Sequence, residues 1–190
     1  MSLSEFNSWP SRGPAGQKGA ILVIALLMLL VLTLLALAAM NMSFNQERMA
    51  GNARNVNTAF QAAEAGLRDA EQWLTNRTAR PDPCVGAPCA VYDRAGLPDL
   101  TEEAPDLRFR EDTWWDTNGR TYGTETDSPA IGGVARAPDT VIENYAFVPD
   151  SLTVGAGPPT GRDFYKITSR GTGGVDAARA VVESTFTRRY

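Results

Sequence analysis

The chain has 190 residues, enough for one membrane anchor and one modest domain. It contains no histidine, so the commonest general base and the commonest metal ligand are both missing. The formal net charge is −4, and the acidic residues are concentrated in the middle, where residues 93–163 hold 14 acidic residues and 6 arginines. An acidic surface repels phosphate, so nucleic acid is not expected as a partner.

Residues 20–39 form an apolar run without a charge, directly after Lys18 and Gly19. Twenty helical residues rise about 30 Å, which matches the hydrocarbon thickness of a bilayer. The run therefore predicts a transmembrane helix over residues 20–40. Its anchoring side chains include Ile21, Ile24, Leu27 and Leu30. Because Arg12 and Lys18 precede the run, the positive-inside rule places the N-terminus in the cytoplasm and the rest outside.

Three interpretations of the N-terminus compete. The segment can be a plain signal-anchor, or a secretory signal cut after the small residues Ala36 and Ala38. It can also be a short polar leader, residues 1–19, that is cut before the apolar run. The secretory signal is disfavoured because its apolar region is long for such a peptide, and Gly19 between a basic and an apolar residue favours the leader.

The apolar run continues without proline into an amphipathic helical stretch, residues 41–78, which should end before Pro81. The apolar positions here are spaced three, four or seven residues apart, so they share one helical face. This stripe comprises Met49, Val56, Phe60, Ala63, Leu67, Ala70 and Leu74. The stripe has to pack against a sheet of the same chain or against neighbouring subunits. We expect Val56, Phe60, Leu67 and Leu74 to be buried by the C-terminal strands.

Cys84 and Cys89 enclose a short loop that contains glycine and proline. Outside the cytoplasm a disulfide between them is the default. Two cysteines without histidine supply only half of a zinc shell, so no metal is expected, and no cofactor is expected either. Their spacing also differs from the C-x-x-C of thioredoxin-like redox sites.

The remainder, residues 79–190, is predicted to be one extracytoplasmic head. Residues 91–140 have little periodicity and predict a loop-rich region with one or two short strands, in which Trp114 and Trp115 pack in the core. Strands are expected at residues 141–148, 164–170 and 178–187, the last two forming an antiparallel hairpin. The predicted class is α+β, with a long N-terminal helix packed on a small C-terminal antiparallel sheet.

Four segments resemble the PilX-type minor pilins of type IV pili. Residues 17–30 (QKGAILVIALLMLL) are similar to the prepilin signal. Residues 46–52 (QERMAGN), residues 59–68 (AFQAAEAGLR) and residues 165–171 (YKITSRG) are similar to later parts of that family. The resemblance implies a type IV pilin-like fold. It also implies that a prepilin peptidase cuts between Gly19 and Ala20 and that the new N-terminal Ala20 is methylated.

One position departs from the pattern of the major pilins, which usually carry a glutamate at the fifth residue of the mature chain. Here that residue is Ile24. A carboxylate inside an apolar bundle is costly unless it meets a cation, which in pilins is the amine of the neighbouring subunit assembled earlier. A subunit with no neighbour above it does not need that carboxylate. Ile24 therefore suits a subunit at or near the tip of the fibre.

The sequence contains no G-x-S-x-G motif, no P-loop and no histidine to activate a nucleophile, so an enzyme is not expected. The resemblance implies a minor pilin that joins a tip or priming complex. Its partners would be other minor pilins, the major pilin, the peptidase, the inner-membrane assembly platform and the membrane itself. The alternatives are a pilus-associated adhesin or aggregation factor and, less favoured, a membrane-anchored periplasmic enzyme. The chain would lie in the inner membrane first and in the pilus at the cell surface afterwards.

We predict cleavage after Gly19, because a basic, glycine-ended leader directly precedes the apolar run. Intact-mass analysis of membrane-extracted protein should show a chain that begins at methylated Ala20. A chain beginning at Ala39, or one that retains Met1, would contradict the prepilin interpretation.

Overall fold

The computed structural model of the protein describes residues 19–94, 106–150 and 160–190, so all of the predicted leader (residues 1–19) except Gly19 lies outside the described residues. The described chain contains two α-helices, a 3₁₀ turn and five strands. In chain order these are α1 (Ala20–Asn76), β1 (Tyr92–Asp93), the 3₁₀ turn (Leu107–Phe109), α2 (Asp112–Asn118), β2 (Arg120–Thr121), β3 (Asp139–Pro149), β4 (Gly161–Thr172) and β5 (Arg179–Arg188). The chain divides into two compact units, and the boundary between them lies between Met49 and Ala50, within α1.

Helix α1 contains 57 residues and no proline, and it ends before Pro81 as predicted. Its last turn carries no basic side chain to offset the exposed carbonyl groups. The guanidinium of Arg188, at the end of β5, takes that role by donating to the carbonyl oxygens of Leu74 and Arg77. The final strand therefore caps the long helix.

The head contains one five-stranded sheet in which β3 and β4 are central. Strands β3, β4 and β5 run antiparallel in that order, and β2 is antiparallel to β3. The predicted strands and the C-terminal hairpin are thus confirmed, as is the α+β fold class. The sheet is nevertheless mixed, because β1 runs parallel to β3. Two residues are too few to show a period, so the sequence did not predict this strand or its direction.

The sheet is covered on both faces. Helix α1 packs on one face through a core of eight buried residues: Leu67, Ala70, Trp73, Leu74, Val91, Ile142, Tyr165 and Ile167. A second core covers the opposite face, which we call the outer face, and consists of Tyr92, Leu107, Trp115 and Val141. Trp115 is fully buried, as predicted for core packing, whereas Trp114 is only partly buried against this core.

Helix α2 was missed because its sequence, DTWWDTN, is composed of weak helix formers. Its stability comes from tertiary contacts instead. The ring of Trp115 is buried in the outer-face core, and Asp112 bonds to Arg170 of β4 at 2.7 Å. Such contacts join residues far apart in sequence and leave no local signal.

The helix and β4 approach each other closely where both carry small residues. A Cβ at Gly171 of β4 would overlap the backbone atoms of Ala59 and Ala63, and a Cβ at Gly66 would overlap the hydroxyl of Ser169. The α1 face that meets the sheet here consists of Ala59, Ala62, Ala63 and Gly66. The separation of helix and sheet is therefore set by backbone contact rather than by interlocking large side chains.

We predict that Gly171→Ala destabilises the head by roughly 1–3 kcal/mol, because the added methyl group meets backbone that cannot rotate away. Thermal unfolding of the full chain in detergent micelles, followed by near-ultraviolet circular dichroism, measures the effect. Gly51→Ala is the matched control, since a Cβ there meets nothing within 4 Å and alanine favours helix by about 1 kcal/mol. Equal melting of the Gly171 variant and the parent would refute the close-contact account.

Candidate assembly helix and polar sites of the head

The predicted processing boundary lies at the start of α1. Gly19 is in a turn and Ala20 is the first helical residue, and both are exposed. The predicted anchor residues Ile21, Ile24, Leu27 and Leu30 follow on the helix and are also exposed. The most apolar 18-residue window of α1 has a mean hydropathy of 3.2, and none of it is buried. By length and composition this helix can cross a membrane.

The stripe predicted on the amphipathic part of α1 is only partly buried. Ala63, Leu67 and Leu74 are in the core, as expected. The prediction is wrong for Val56 and Phe60, whose exposed fractions are 54% and 47%. Met49, in the other compact unit, is exposed as well.

The buried face of α1 is turned away from the predicted stripe. At 3.6 residues per turn, the buried positions centre roughly 60° from it. These positions are Ala59, Ala62, Ala63, Gly66, Leu67, Asp69, Ala70, Trp73 and Leu74. Hydropathy gives alanine and glycine little weight, so it favoured the larger side chains on the neighbouring face. The signal that could have found the buried face is the recurrence of small residues at spacings of three and four.

Asp69 is the charged residue on this buried face, and the sequence analysis did not predict its role. Its carboxylate accepts hydrogen bonds from Ser128 Oγ at 2.7 Å, from Thr126 Oγ1 and from the Gly123 backbone N–H at 3.4 Å. It also pairs with Arg120 at 3.2 Å. Because a buried carboxylate is costly without such partners, Asp69 holds the loop of residues 120–128 in one position on α1.

Trp73 and Glu125 extend this attachment toward the end of α1. The indole N–H of Trp73 donates to Glu125, which also pairs with Arg77 at 2.9 Å. The guanidinium groups of Arg77 and Arg120 lie 4.2 and 5.0 Å from the indole ring centre. The aromatic ring thus stabilises both cations, whose counter-charges are Glu125 for Arg77 and Asp69 for Arg120.

The predicted disulfide between Cys84 and Cys89 is present, with a Cα–Cα distance of 6.0 Å. The Cys84 backbone N–H donates to the carbonyl of Val91 at 3.0 Å, and Cys84 accepts from Asp93 at 3.1 Å. The disulfide loop is thereby joined to β1. Tyr92, the first residue of β1, is fully buried and donates to the Asn118 carbonyl at 2.9 Å.

A network of ion pairs attaches α2 to the outer face of the sheet. Arg170 is buried and pairs with Asp112 at 2.7 Å and with Asp139 at 3.3 Å. Asp112 also pairs with Arg179 at 2.8 Å. Burial raises the pKa of Asp139 above its usual value, and the nearby Arg170 opposes that rise.

Glu143 is a buried carboxylate with weaker support, also on the outer face. Its only ion pair among the described residues is with Lys166, whose Nζ lies 4.0 Å from Oε2. That oxygen is buried and has no hydrogen-bond partner within the described ranges. Lys166 is closer to Glu183, at 3.1 Å. Burial raises the pKa of Glu143, Lys166 and Arg94 oppose the rise, and Glu183 adds to it.

A long apolar N-terminal helix that continues into an α+β head defines a pilin-like protein. A family model of the PilX N-terminal region matches residues 18–68, and a model of the type IV pilus assembly protein PilX C-terminal region matches residues 52–188. The second match alone covers well over half of the chain, so the chain belongs to the PilX family of type IV pilus assembly proteins. Searches of the curated proteins and of the solved structures found no match.

We predict that Glu143→Gln stabilises the head at neutral pH by on the order of 1 kcal/mol, because it removes a buried charge while Lys166 keeps Glu183 as its partner. The pKa of Glu143 in the folded protein is above the usual value of 4.5 that applies to the unfolded chain. Between these two pKa values the folded protein therefore binds a proton that the unfolded chain does not. The unfavourable contribution of ionised Glu143 is therefore complete above the raised pKa and disappears as the pH falls toward 4.5.

Urea unfolding of the full chain in micelles, repeated across this pH range, measures the difference between variant and parent. Glu64→Gln on the accessible side of α1 is the control and should stay within about 0.5 kcal/mol of the parent. A loss of stability in Glu143→Gln at neutral pH would show that the carboxylate is supported after all.

Proposed function

We propose that this protein is a minor pilin that joins other minor pilins in a tip or priming complex and so initiates assembly of the type IV pilus. Membership of a pilus assembly family supports the general role. The observation that carries the proposal is the exposure of Val56 and Phe60 on α1. Two large apolar side chains on one side of a helix are expected to be covered in the assembled state.

The absence of a carboxylate at Ile24 supports a place at the tip. In the described residues the first turn of α1 contains no acidic side chain. A subunit at the tip has no neighbour above it whose N-terminal amine would need a carboxylate partner. Isoleucine avoids the cost of several kcal/mol that an unpaired carboxylate would incur in an apolar bundle.

Charge around the apolar run supports a route through the inner membrane. Arg12 and Lys18 precede the run, whereas Glu47 and Arg48 are the first charges after it. We therefore place the N-terminus in the cytoplasm and the head in the periplasm before assembly. In this position the chain meets the prepilin peptidase and the inner-membrane assembly platform, and afterwards it is carried to the cell surface at or near the pilus tip.

We predict that a strain lacking this protein loses surface fibres and that Phe60→Ala restores markedly fewer fibres than the parent chain does. The head of Phe60→Ala should still melt like the parent, since its ring is half exposed and contributes little to the core. Electron microscopy of sheared fibres and thermal unfolding of the purified chain give the two readouts.

Two control variants separate contact from stability. Phe109→Ala removes an exposed aromatic ring elsewhere on the head and should restore normal fibres. Leu67→Ala removes a buried side chain and should lower stability by about 2–5 kcal/mol. Normal fibre numbers with Phe60→Ala would reject the contact role of this position. If the deletion strain keeps its fibres but loses adhesion, the protein is an adhesin instead. If the strain keeps both fibres and adhesion, the periplasmic enzyme is the remaining alternative.

A further inference from the structure

An open groove of about 630 Å³ lies on the outer face of the sheet, beyond the area that α2 covers. Its walls combine two aromatic rings with charged and hydroxyl groups: Arg94, Tyr145, Phe164, Lys166, Glu183 and Thr185. Tyr145 reaches this position through an irregularity in the β3–β4 pairing between Asn144 and Ala146. Irregularities of this kind redirect a side chain at the cost of local pairing, and they are common near functional sites.

The buried carboxylate of Glu143 lies beside this groove. It is only 4% exposed, and its Oε2 has no hydrogen-bond partner among the described residues. Its nearest cation, Lys166 Nζ, is 4.0 Å away and closer to Glu183. A buried acceptor without a donor is uncommon in folded proteins. Because this oxygen has almost no accessible surface, its charge acts on the groove through the neighbouring Lys166 and not by direct contact with a ligand.

Among the described residues around the groove, positive and negative side chains are equal in number. Glu143 and Glu183 are offset by Lys166 and Arg94. The 3₁₀ turn adds Asp106 and Arg108, which pair with each other. Asp106 is close enough to Lys166 for the two charges to interact, as is Arg108 to Glu183. With as many cations as anions, the groove has no net preference for an ionic ligand.

The hydrogen-bonding groups in the groove further restrict the class of ligand that it can bind. Carboxylates only accept hydrogen bonds, whereas guanidinium and ammonium groups only donate them. A hydroxyl group does both and can pair with either kind. The abundance of charge argues against the centre of a protein–protein interface, where charged residues are depleted. The two aromatic rings offer apolar faces to the C–H groups of a ligand.

We propose that this outer-face groove binds a neutral oligosaccharide. Glu183 accepts hydrogen bonds from sugar hydroxyl groups, Lys166 and Arg94 donate to hydroxyl oxygens, and Phe164 packs against a sugar ring. One face of Tyr145 is occupied by Arg94, whose guanidinium carbon lies 4.0 Å from the ring centre, so Tyr145 positions that donor. This binding activity goes beyond a role in assembly and does not depend on it.

The chain offers a simple spectroscopic test, because it contains only two lysines and five tyrosines. Uncleaved full chain labelled with ¹⁵N-lysine and ¹⁵N-tyrosine, in micelles of a detergent without sugar groups, should give seven backbone amide signals. Lys166 and Tyr145 report on the groove. Tyr92 and Tyr165 report on the core, and Tyr122 reports on another surface.

Chitotetraose, cellotetraose and maltotetraose are titrated separately to millimolar concentration. At least one of them should shift the Lys166 and Tyr145 signals saturably while Tyr122 stays unchanged. Glu183→Gln and Tyr145→Ala should each weaken that binding by about tenfold or more. Glu64→Gln is the matched control on α1 and should bind like the parent. A parent-like Tyr122 signal together with a parent-like melting temperature shows that each variant is folded.

Absence of a shift with all three sugars would overturn the proposal. It would also be overturned if Glu183→Gln bound as tightly as the parent. A pentalysine peptide that shifted the same signals at lower concentration than any sugar would replace the saccharide with a cationic peptide partner. None of these outcomes bears on fibre assembly, which is measured separately in the deletion strain.

Discussion

The close contact between α1 and β4 is the constraint on which the head depends. Gly171 leaves room for the helix backbone at Ala59 and Ala63, so the two elements approach more closely than large side chains would permit. Near Gly171, the side chains on the face of α1 that meets the sheet have to be small for the same reason. Larger apolar groups are thereby turned away from the sheet, and Val56 and Phe60 remain exposed. The glycine in β4 thus determines which side of the helix is free for other contacts.

Polar contacts then fix the parts of the head that carry little apolar surface. Asp69 collects hydrogen bonds and an ion pair from the loop of residues 120–128, and Arg170 joins α2 to the sheet. Buried ion pairs contribute little net stability compared with apolar packing, but breaking one is costly because it leaves a charge without a partner. These pairs therefore specify the positions of loops and of a short helix that propensity alone would not hold. Arg188 does the same for the end of α1.

The fold could be predicted where the hydrophobic pattern of the sequence repeats over many residues. The prediction failed where the pattern does not repeat. The long helix and the three main strands have clear patterns and were found. Helix α2 and the two-residue strands depend on contacts distant in sequence, such as that between Asp112 and Arg170. The orientation of α1 was misjudged because Phe60 is more hydrophobic than Ala59, whereas the available space decides which of the two is buried. The roles of Asp69 and Glu143 require knowledge of which residues lie opposite them.

The same electrostatic rule applies to two positions with opposite outcomes. A carboxylate in a medium of low polarity persists only where a partner or a function compensates for its desolvation. At Ile24 neither is needed in the tip position that we propose, where the subunit has no neighbour above it, and an apolar residue stands there. At Glu143 the carboxylate is retained, although its oxygen has no donor among the described residues and its nearest cation is closer to another acid. A glutamine would fit the same space without the charge. The charge of Glu143 lies next to Lys166 at the edge of the open groove, where we propose that the Lys166 ammonium donates to a ligand.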